Sequence, residues 1–478
     1  MTQSTSEIVQ ELLPVFSTIF TRDTVQGILQ DLGIKMYWRA YTPLVVLWGF
    51  LFQRLHPDHT CDNYVAYLHS GKGDQLDPAD RHRQPLSQRL CSESNAGYVQ
   101  GRNRLPLALL EMTLPLVYEQ IQSWLGDEGL WQGHAVRLLD GSTFTLAPLG
   151  DLATTYGHSS NQHGQHHWVK VRAVASFDLI SQAAVALVEA PYAVGETSLV
   201  LPVLQADPED GALYIGDRNF GVYRVLQAAH ATSKEALVRL QKQQWQSLMR
   251  RNGINSLEAG ESYPCVWQPS RHDTLLEGIP APAISGRLLY IRLQKTGFRP
   301  IDLYLFTTLL DEQRYPVAAL TALYARRYAS AEGDLRHLKT TLELDNLCAH
   351  SAAIFRKELF AGLLAYNLVR ALMTRAARLG KQEVTSLSFV QAKRRLYRVL
   401  FEDWPSWLNS LAATTHNLCR RLGACRLPSR VRKIQHEPRC KRYKSRRYPP
   451  LTTDRHTAQQ LHLQQIKEIK EIQEYAIS

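Results

Sequence analysis

The sequence predicts an α/β fold, from three observations: helical text through residues 1–125, short β-type runs from about residue 134 onward, and a long helical region over about 316–379. Ile8, Leu12, Leu13 and Phe16, and later Leu44, Leu47, Leu51 and Leu55, recur at helical spacing, which marks core faces. The polar stretch 70–83 reads as a loop, and the text after Ser92, Glu93, Ser94 and Asn95 carries Arg102 and Arg104. Residues 135–139, 168–176, 183–189 and 212–215 are β-type runs, with a turn over 177–181. Helix-like text is predicted from Val222 to about Leu248, then strands over 263–267, 287–293 and 301–307 among Gly and Pro. A polar helical tail closes the chain, with Leu463, Ile466, Ile469 and Ile472 as a packing or dimer stripe.

The chain has 478 residues, 45% hydrophobic and 21% charged, a globular mixture that excludes a mainly disordered or fibrous protein. Its formal net charge of +11 favours a polyanionic partner. The segment 420–447 holds twelve cations and one acid, Glu437, so the whole excess sits there, beside Tyr443 and Tyr448. It reads as a nucleic-acid contact segment, with a solvated basic tail as the plainer reading. Seven cysteines without a CxxC pair fit a reducing compartment, and the start of the chain shows no signal peptide. The longest apolar stretch, 44–52, is too short to cross a bilayer, so no membrane partner is expected. Of the histidines, His158, His163, His166 and His167 cluster before a β-run and read as a polar loop. Lys170 and Arg172 alternate on one strand face. There is no glycine-rich phosphate loop, nucleotide-cofactor fingerprint or nucleophile elbow.

Two acids close β-type runs: Asp140 after Val136, Arg137, Leu138 and Leu139, and Asp217 after Leu213, Tyr214, Ile215 and Gly216. At the end of a strand a carboxylate can face a crevice, although an Asp there is more often a turn residue. A third acid, Glu332, lies in helical text with Arg336 and Lys339 at i, i+4 and i+7, on one helical face. Carboxylates from two strand ends and a helix suit two divalent ions with hard oxygen ligands, and cations beside them suit a phosphodiester strand.

These three contexts resemble the acidic motifs of the DDE transposases, and the group they look most like is the insertion-sequence-four family of bacterial cut-and-paste enzymes. The segments are Leu138, Leu139, Asp140, Gly141, Ser142; Ile215, Gly216, Asp217, Arg218; and Glu332 followed by Leu335, Arg336, Leu338 and Lys339. The family signature places a Tyr and an Arg before the Glu and a Lys after it, matched here by Tyr324, Arg327, Glu332 and Lys339. The interval from Arg327 to Glu332 is one residue longer than in the signature, so Arg326 and Tyr328 are alternatives for that pair. Tyr98 to Pro106, with Arg102 and Arg104, and the text around Arg356 to Leu359 and Ala365 to Arg370 also look like the family.

The resemblance implies an RNase H-like mixed-sheet catalytic core interrupted by a β-strand-rich insertion, with helical N- and C-terminal regions. The implied organisation is a helical DNA-binding region over 1–125, core over 126–250, insertion over 251–312, the helical remainder of the core over 313–385, and a basic helical region over 386–478 for DNA contact and dimerisation. It implies that Asp140, Asp217 and Glu332 are catalytic and hold two Mg²⁺ ions, for which Mn²⁺ can substitute. Tyr324, Arg327, Arg336, Lys339, Arg102 and Arg104 are the expected DNA contacts. The implied function is cleavage at inverted-repeat ends and strand transfer into target DNA by a homodimer on double-stranded DNA in the bacterial cytoplasm. Two rivals are a catalytically silent transposase-derived DNA-binding protein and an RNase H-like structure-selective nuclease.

Overall fold

The protein is described by a computed structural model covering residues 19–36, 39–76, 84–161, 164–271, 273, 281–293, 301–344, 347, 349–402, 418–427 and 453–475, apart from the side chains at 75, 160, 161, 166, 328–336, 340 and 468–475. Most of the basic segment, the first apolar stripe (8–16), His163 and Cys440 lie outside the described residues.

Helices open the chain: α1 (Arg22–Asp31), α2 (Pro43–Leu55), α3 (Cys61–His69), α4 (Ala96–Arg104) and α5 (Leu107–Leu125). Thr21, Thr42 and Thr60 cap the first three, each hydroxyl accepting from a backbone N–H three residues on. Every residue of α2 is buried, as a helix apolar on all sides must be.

Among the described residues ten strands then form one mixed sheet. They are β1 (Leu130–Trp131), β2 (His134–Leu146), β3 (His158–Asn161), β4 (Gly164–Asp178), β5 (Ala184–Pro191), β6 (Leu213–Gly216), β7 (Glu235–Arg239), β8 (Ser262–Trp267), β9 (Ile284–Leu293) and β10 (Ile301–Thr307). The order is β3-β4-β2-β6-β7-β10-β9-β8, with β5 also on β4 and β1 on β2. β4 runs antiparallel to both β2 and β5, whereas β2, β6 and β7 are mutually parallel. β10 joins β7 antiparallel, so the strand-rich text after residue 251 extends the same sheet.

Four helices interrupt the strands: α6 (Leu152–Tyr156) precedes β3, α7 (Val200–Gln205) precedes β6, α8 (Tyr223–Ala231) precedes β7, and α9 (Lys242–Arg251) follows it. Here the structure corrects the continuous helix predicted from Val222 to Leu248. α8 ends at Ala231, Ser233 turns the chain at φ 54°, and Glu235 to Arg239 become β7. A short apolar run such as Ala236, Leu237 and Val238 carries no periodicity that separates helix from strand. Its burial between β6 and β10 decides for strand.

After the sheet come α10 (Val317–Arg336), a π-helical turn (His337–Thr341), α11 (Ala352–Leu379), α12 (Phe389–Tyr397) and α13 (Arg455–Tyr475). The long helical region is thus two helices. Leu139 packs with α7 and α8 on one sheet face, and Leu138 packs with α10 on the other. The run Val136 to Leu139 is therefore apolar without alternation, apart from Arg137, because both faces are covered.

The segments around Arg356 and Asn367 join the helical layer to the sheet. Lys357 Nζ donates to the carbonyls of Arg102 (3.1 Å) and Asn103 (2.8 Å), Glu358 pairs with Arg102, and Arg356 Nε donates to Glu189 at 2.5 Å. Asn367 is fully buried and treats Ala184 as a neighbouring strand would: Nδ2 donates to its carbonyl and Oδ1 accepts from its N–H, both at 2.8 Å. Asn367→Ala strands two buried backbone groups, and we expect a loss of about 3 kcal/mol in denaturant unfolding.

Candidate active site

β2 and β6 lie side by side and parallel, with Leu138 paired to Ile215. Asp140 and Asp217 each follow two residues later, Asp140 within β2 and Asp217 just past the end of β6, so both lie beyond the last paired residues at the same end of this parallel pair. Asp140 continues the alternation of Leu138, which packs with Leu320, Leu323 and Tyr324 of α10, and Asp217 meets α10 through Arg327. The two acids therefore share the face that α10 covers.

Local backbone holds each carboxylate. Asp140 Oδ1 accepts from Gly141 N at 3.0 Å, and Asp217 Oδ1 accepts from Asn219 N at 2.8 Å, bracing the turn after β6. A Cβ on Gly221 in that turn would overlap the Arg239 carbonyl, so only glycine lets the turn lie against β7.

α10 brings its cations to this place. Arg327, largely buried, lies with Nη2 3.7 Å from Asp217 Oδ2. Beyond the helix, Lys339 Nζ donates to the Thr143 carbonyl of β2 at 3.0 Å and lies 5.8 Å from the Phe144 ring centre. The start of α10 is pinned as well. His134 bridges the Gly211 carbonyl through Nδ1 and the Tyr315 hydroxyl through Nε2, both at 2.7 Å. Arg287 binds the carbonyls of Leu309 (2.8 Å) and Tyr315 (2.7 Å).

Glu332 and Arg336 lie on α10, and their side chains are outside the described ones. Among the described residues no group of three or more His, Cys, Asp or Glu gathers as a metal site. The donor set itself, two carboxylates with no thiolate or imidazole described beside them, is the hard-oxygen chemistry that Mg²⁺ takes.

Two expected DNA contacts are buried. Arg102 is buried, pairs with Glu358, and lies 4.7 Å from the Phe50 ring centre. Tyr324 is 1% exposed within the layer under α10. Arg102 therefore serves the packing of α4 on α11, and Tyr324 the packing of α10 on the sheet. Arg104, two residues after Arg102, is exposed. Sequence spacing missed this division, although the helical turn between the two arginines points them apart.

Downstream, Lys393 Nζ of α12 donates to the carbonyl of Thr341, the last residue of the π-turn, at 2.7 Å. Burial pushes this amine down to about 8, with Glu343 opposing and Arg54 and Arg394 adding to the fall. The folded value lies below the unfolded one, so the cost of the buried charge is full below about pH 8 and fades as pH rises toward the lysine value of about 10.4. Lys393→Met is therefore expected to narrow the rise in unfolding free energy between about pH 8 and about pH 10. Denaturant titrations at both ends of that window measure it.

Residues 131–368, from β1 into α11, match the family model of the transposase DDE domain. The match supports a DDE transposase. The matched DDE segment contains Asp140, Asp217 and Glu332, as well as Arg327, Lys339 and the Arg356-to-Asn367 docking residues. Among solved structures, the chain is similar to the piggyBac transposase of a synaptic complex with hairpin DNA, at 11% identity and a TM-score of 0.39, over 88% of this chain and 86% of that chain. No curated protein matches the chain. Outside the DDE segment, no helix among the described residues, or within it, is long and apolar enough to cross a membrane.

Proposed function

We propose that the protein is a cut-and-paste transposase of the insertion-sequence-four kind, cleaving DNA at inverted-repeat ends and joining the freed ends to target DNA. The observation that carries this reading is the parallel pairing of β2 with β6, which puts the chain ends bearing Asp140 and Asp217 side by side, with Arg327 of α10 at Asp217. The strand order β5-β4-β2-β6-β7, three antiparallel strands then two parallel ones, supports an RNase H-like core.

The run of α10 supports Glu332 as the third acid. The connection into α10 meets the start of β2 at Tyr315 and His134, and the π-turn meets β2 again at Lys339 and Thr143, so helix and strand run the same way. Stepping back from Thr143 to Asp140 covers about 10 Å of strand, and from Lys339 to position 332 about 10 Å of helix. Position 332 is thereby level with Asp140.

Asp140, Asp217 and Glu332 would hold two Mg²⁺ ions, with Mn²⁺ able to substitute. Such ions supply charge neutralisation and water activation for phosphodiester cleavage. The chain's own residues do the rest: Arg327, Arg336 and Lys339 hold phosphates around the acids, and the pinned ends of α10 keep them in register with β2 and β6. The helical region 1–125 and the basic region 386–478 contact DNA, the protein acts as a homodimer on double-stranded ends, and its place is the bacterial cytoplasm.

The test is incubation of the full chain with DNA flanking its own gene and Mg²⁺, followed by mapping of nicks at single-nucleotide resolution. Cuts at the borders of inverted repeats are expected. DNA bound at those borders and left intact would sink the enzymatic reading.

A further inference from the structure

Beyond α10 the backbone changes its winding. The Leu342 N–H donates to the His337 carbonyl five residues back at 3.0 Å, which makes His337–Thr341 a π-turn. Glu343 then sits at φ 56°, a left-handed conformation that a residue with a Cβ adopts at a cost. Lys339 lies inside this turn, and its Nζ donates to the Thr143 carbonyl of β2. A costly turn that carries an expected phosphate contact needs partners that hold its shape.

Side chains from outside the DDE segment 131–368 supply them. Phe389 of α12 stacks on the His337 ring, with centres 4.4 Å apart and planes 17° from parallel. One turn further along the same helix face, Lys393 Nζ donates to the Thr341 carbonyl at 2.7 Å. His59, between α2 and α3, places Nε2 2.9 Å from Glu343 Oε2, while its Nδ1 faces the Gln53 carbonyl. The Glu343 carboxylate also acts on the Lys393 amine and on the buried Arg54 guanidinium, so both clamps meet at one anion. The clamps are themselves joined, since Phe52 of α2 packs edge-on against Tyr397 of α12 with ring centres 5.9 Å apart. The turn is thus gripped at His337, at Thr341 and at its exit.

We propose that Lys393, Glu343 and His59 are positioning residues for Lys339: they hold the π-turn so that this amine stays on β2, where its partner Thr143 lies three residues beyond Asp140. The proposal rests on the transposase reading for the task of Lys339, and on the turn and its contacts for everything else. It gives both flanking helical regions a part in a site that the DDE segment alone does not complete. Each of the three residues acts through the turn.

The experiment measures single-turnover cleavage by the full chain with Mg²⁺ and a duplex bearing its gene's terminal sequence. K393M and H59A/E343A are each expected to slow cleavage by about 10- to 100-fold, as a displacement of about 1 Å does. The deciding variant is K339Q/K393M, which should cleave no more slowly than K339Q, because Lys393 acts only through Lys339. A merely structural role would multiply the two losses, and that result overturns the proposal. Wild-type rates in K393M and H59A/E343A also overturn it, with unfolding midpoints establishing that both are folded. K393M removes a buried charge and is expected to fold. If K339Q cleaves at the wild-type rate, or wild type makes no cuts, the transposase reading of Lys339 fails, and hydrogen exchange decides the clamp alone. Amides of 337–344 should exchange about 10-fold faster in K393M, with those of α11 unchanged, and unaltered exchange at the turn overturns the clamp.

Discussion

Asp140→Ala and Asp217→Ala should each reduce cleavage at the element's ends by on the order of 10³-fold or more, while DNA affinity stays within a few-fold of wild type. The two carboxylates follow the paired ends of parallel strands β2 and β6, and among the described residues no cluster of three or more His, Cys, Asp or Glu offers another metal site. Asp217→Asn makes the stricter test. The amide can still accept from Asn219 N, so the turn after β6 keeps its brace, yet the charge facing Arg327 is gone. Equal loss in Asn and Ala variants shows that charge, rather than shape, is what the site needs. Glu332→Ala belongs in the same experiment, because retained cleavage there removes Glu332 from the acidic set. Near-normal nicking in either aspartate variant, with the protein folded, is incompatible with the proposed chemistry.

The largest effect on stability is expected at Arg137, three residues before Asp140 on β2. Its guanidinium is 1% exposed and pairs at 2.8 Å with both Asp178 and Asp207, themselves fully buried. Tyr214 donates to Asp207 at 2.8 Å, and the Tyr118 ring centre lies 5.2 Å from the guanidinium carbon. Arg137→Ala leaves two carboxylates in the core without their cation, at a cost of about 3–5 kcal/mol. Restoring balance matters more than restoring charge: R137M/D178N/D207N, which removes all three charges together, should recover much of that loss. Denaturant unfolding of wild type, single variant and triple variant measures this directly. A single-variant loss below about 1 kcal/mol would mean that the triad is solvated rather than buried.

Several features of the fold were legible before any coordinates. The runs 263–267 and 301–307 are strands within a residue of their predicted limits, and the run before Asp217 is strand from Leu213 to Gly216. They were legible because Gly, Pro and Asp punctuate short apolar runs whose length fits a strand. β7 was not, because its apolar run is short and sits between two helices. The fate of Arg102 was not either. Its partner Glu358 is 256 residues away, and nothing local distinguishes it from exposed Arg104.

By itself the sequence determined which side chains could do chemistry: acids at the ends of apolar runs, a helix bearing a third acid among cations, and a terminal excess of positive charge. These are local properties, fixed by residue type and spacing. Tertiary structure alone decided which of them meet. The parallel pairing of β2 with β6 sets the ends that lead to Asp140 and Asp217 side by side, and the pinning of α10 brings Arg327 to Asp217. Burial turned Arg102, Tyr324 and Arg137 into packing groups. Strand pairing and burial depend on contacts between residues distant in the chain, and no local pattern encodes which distant partner is found.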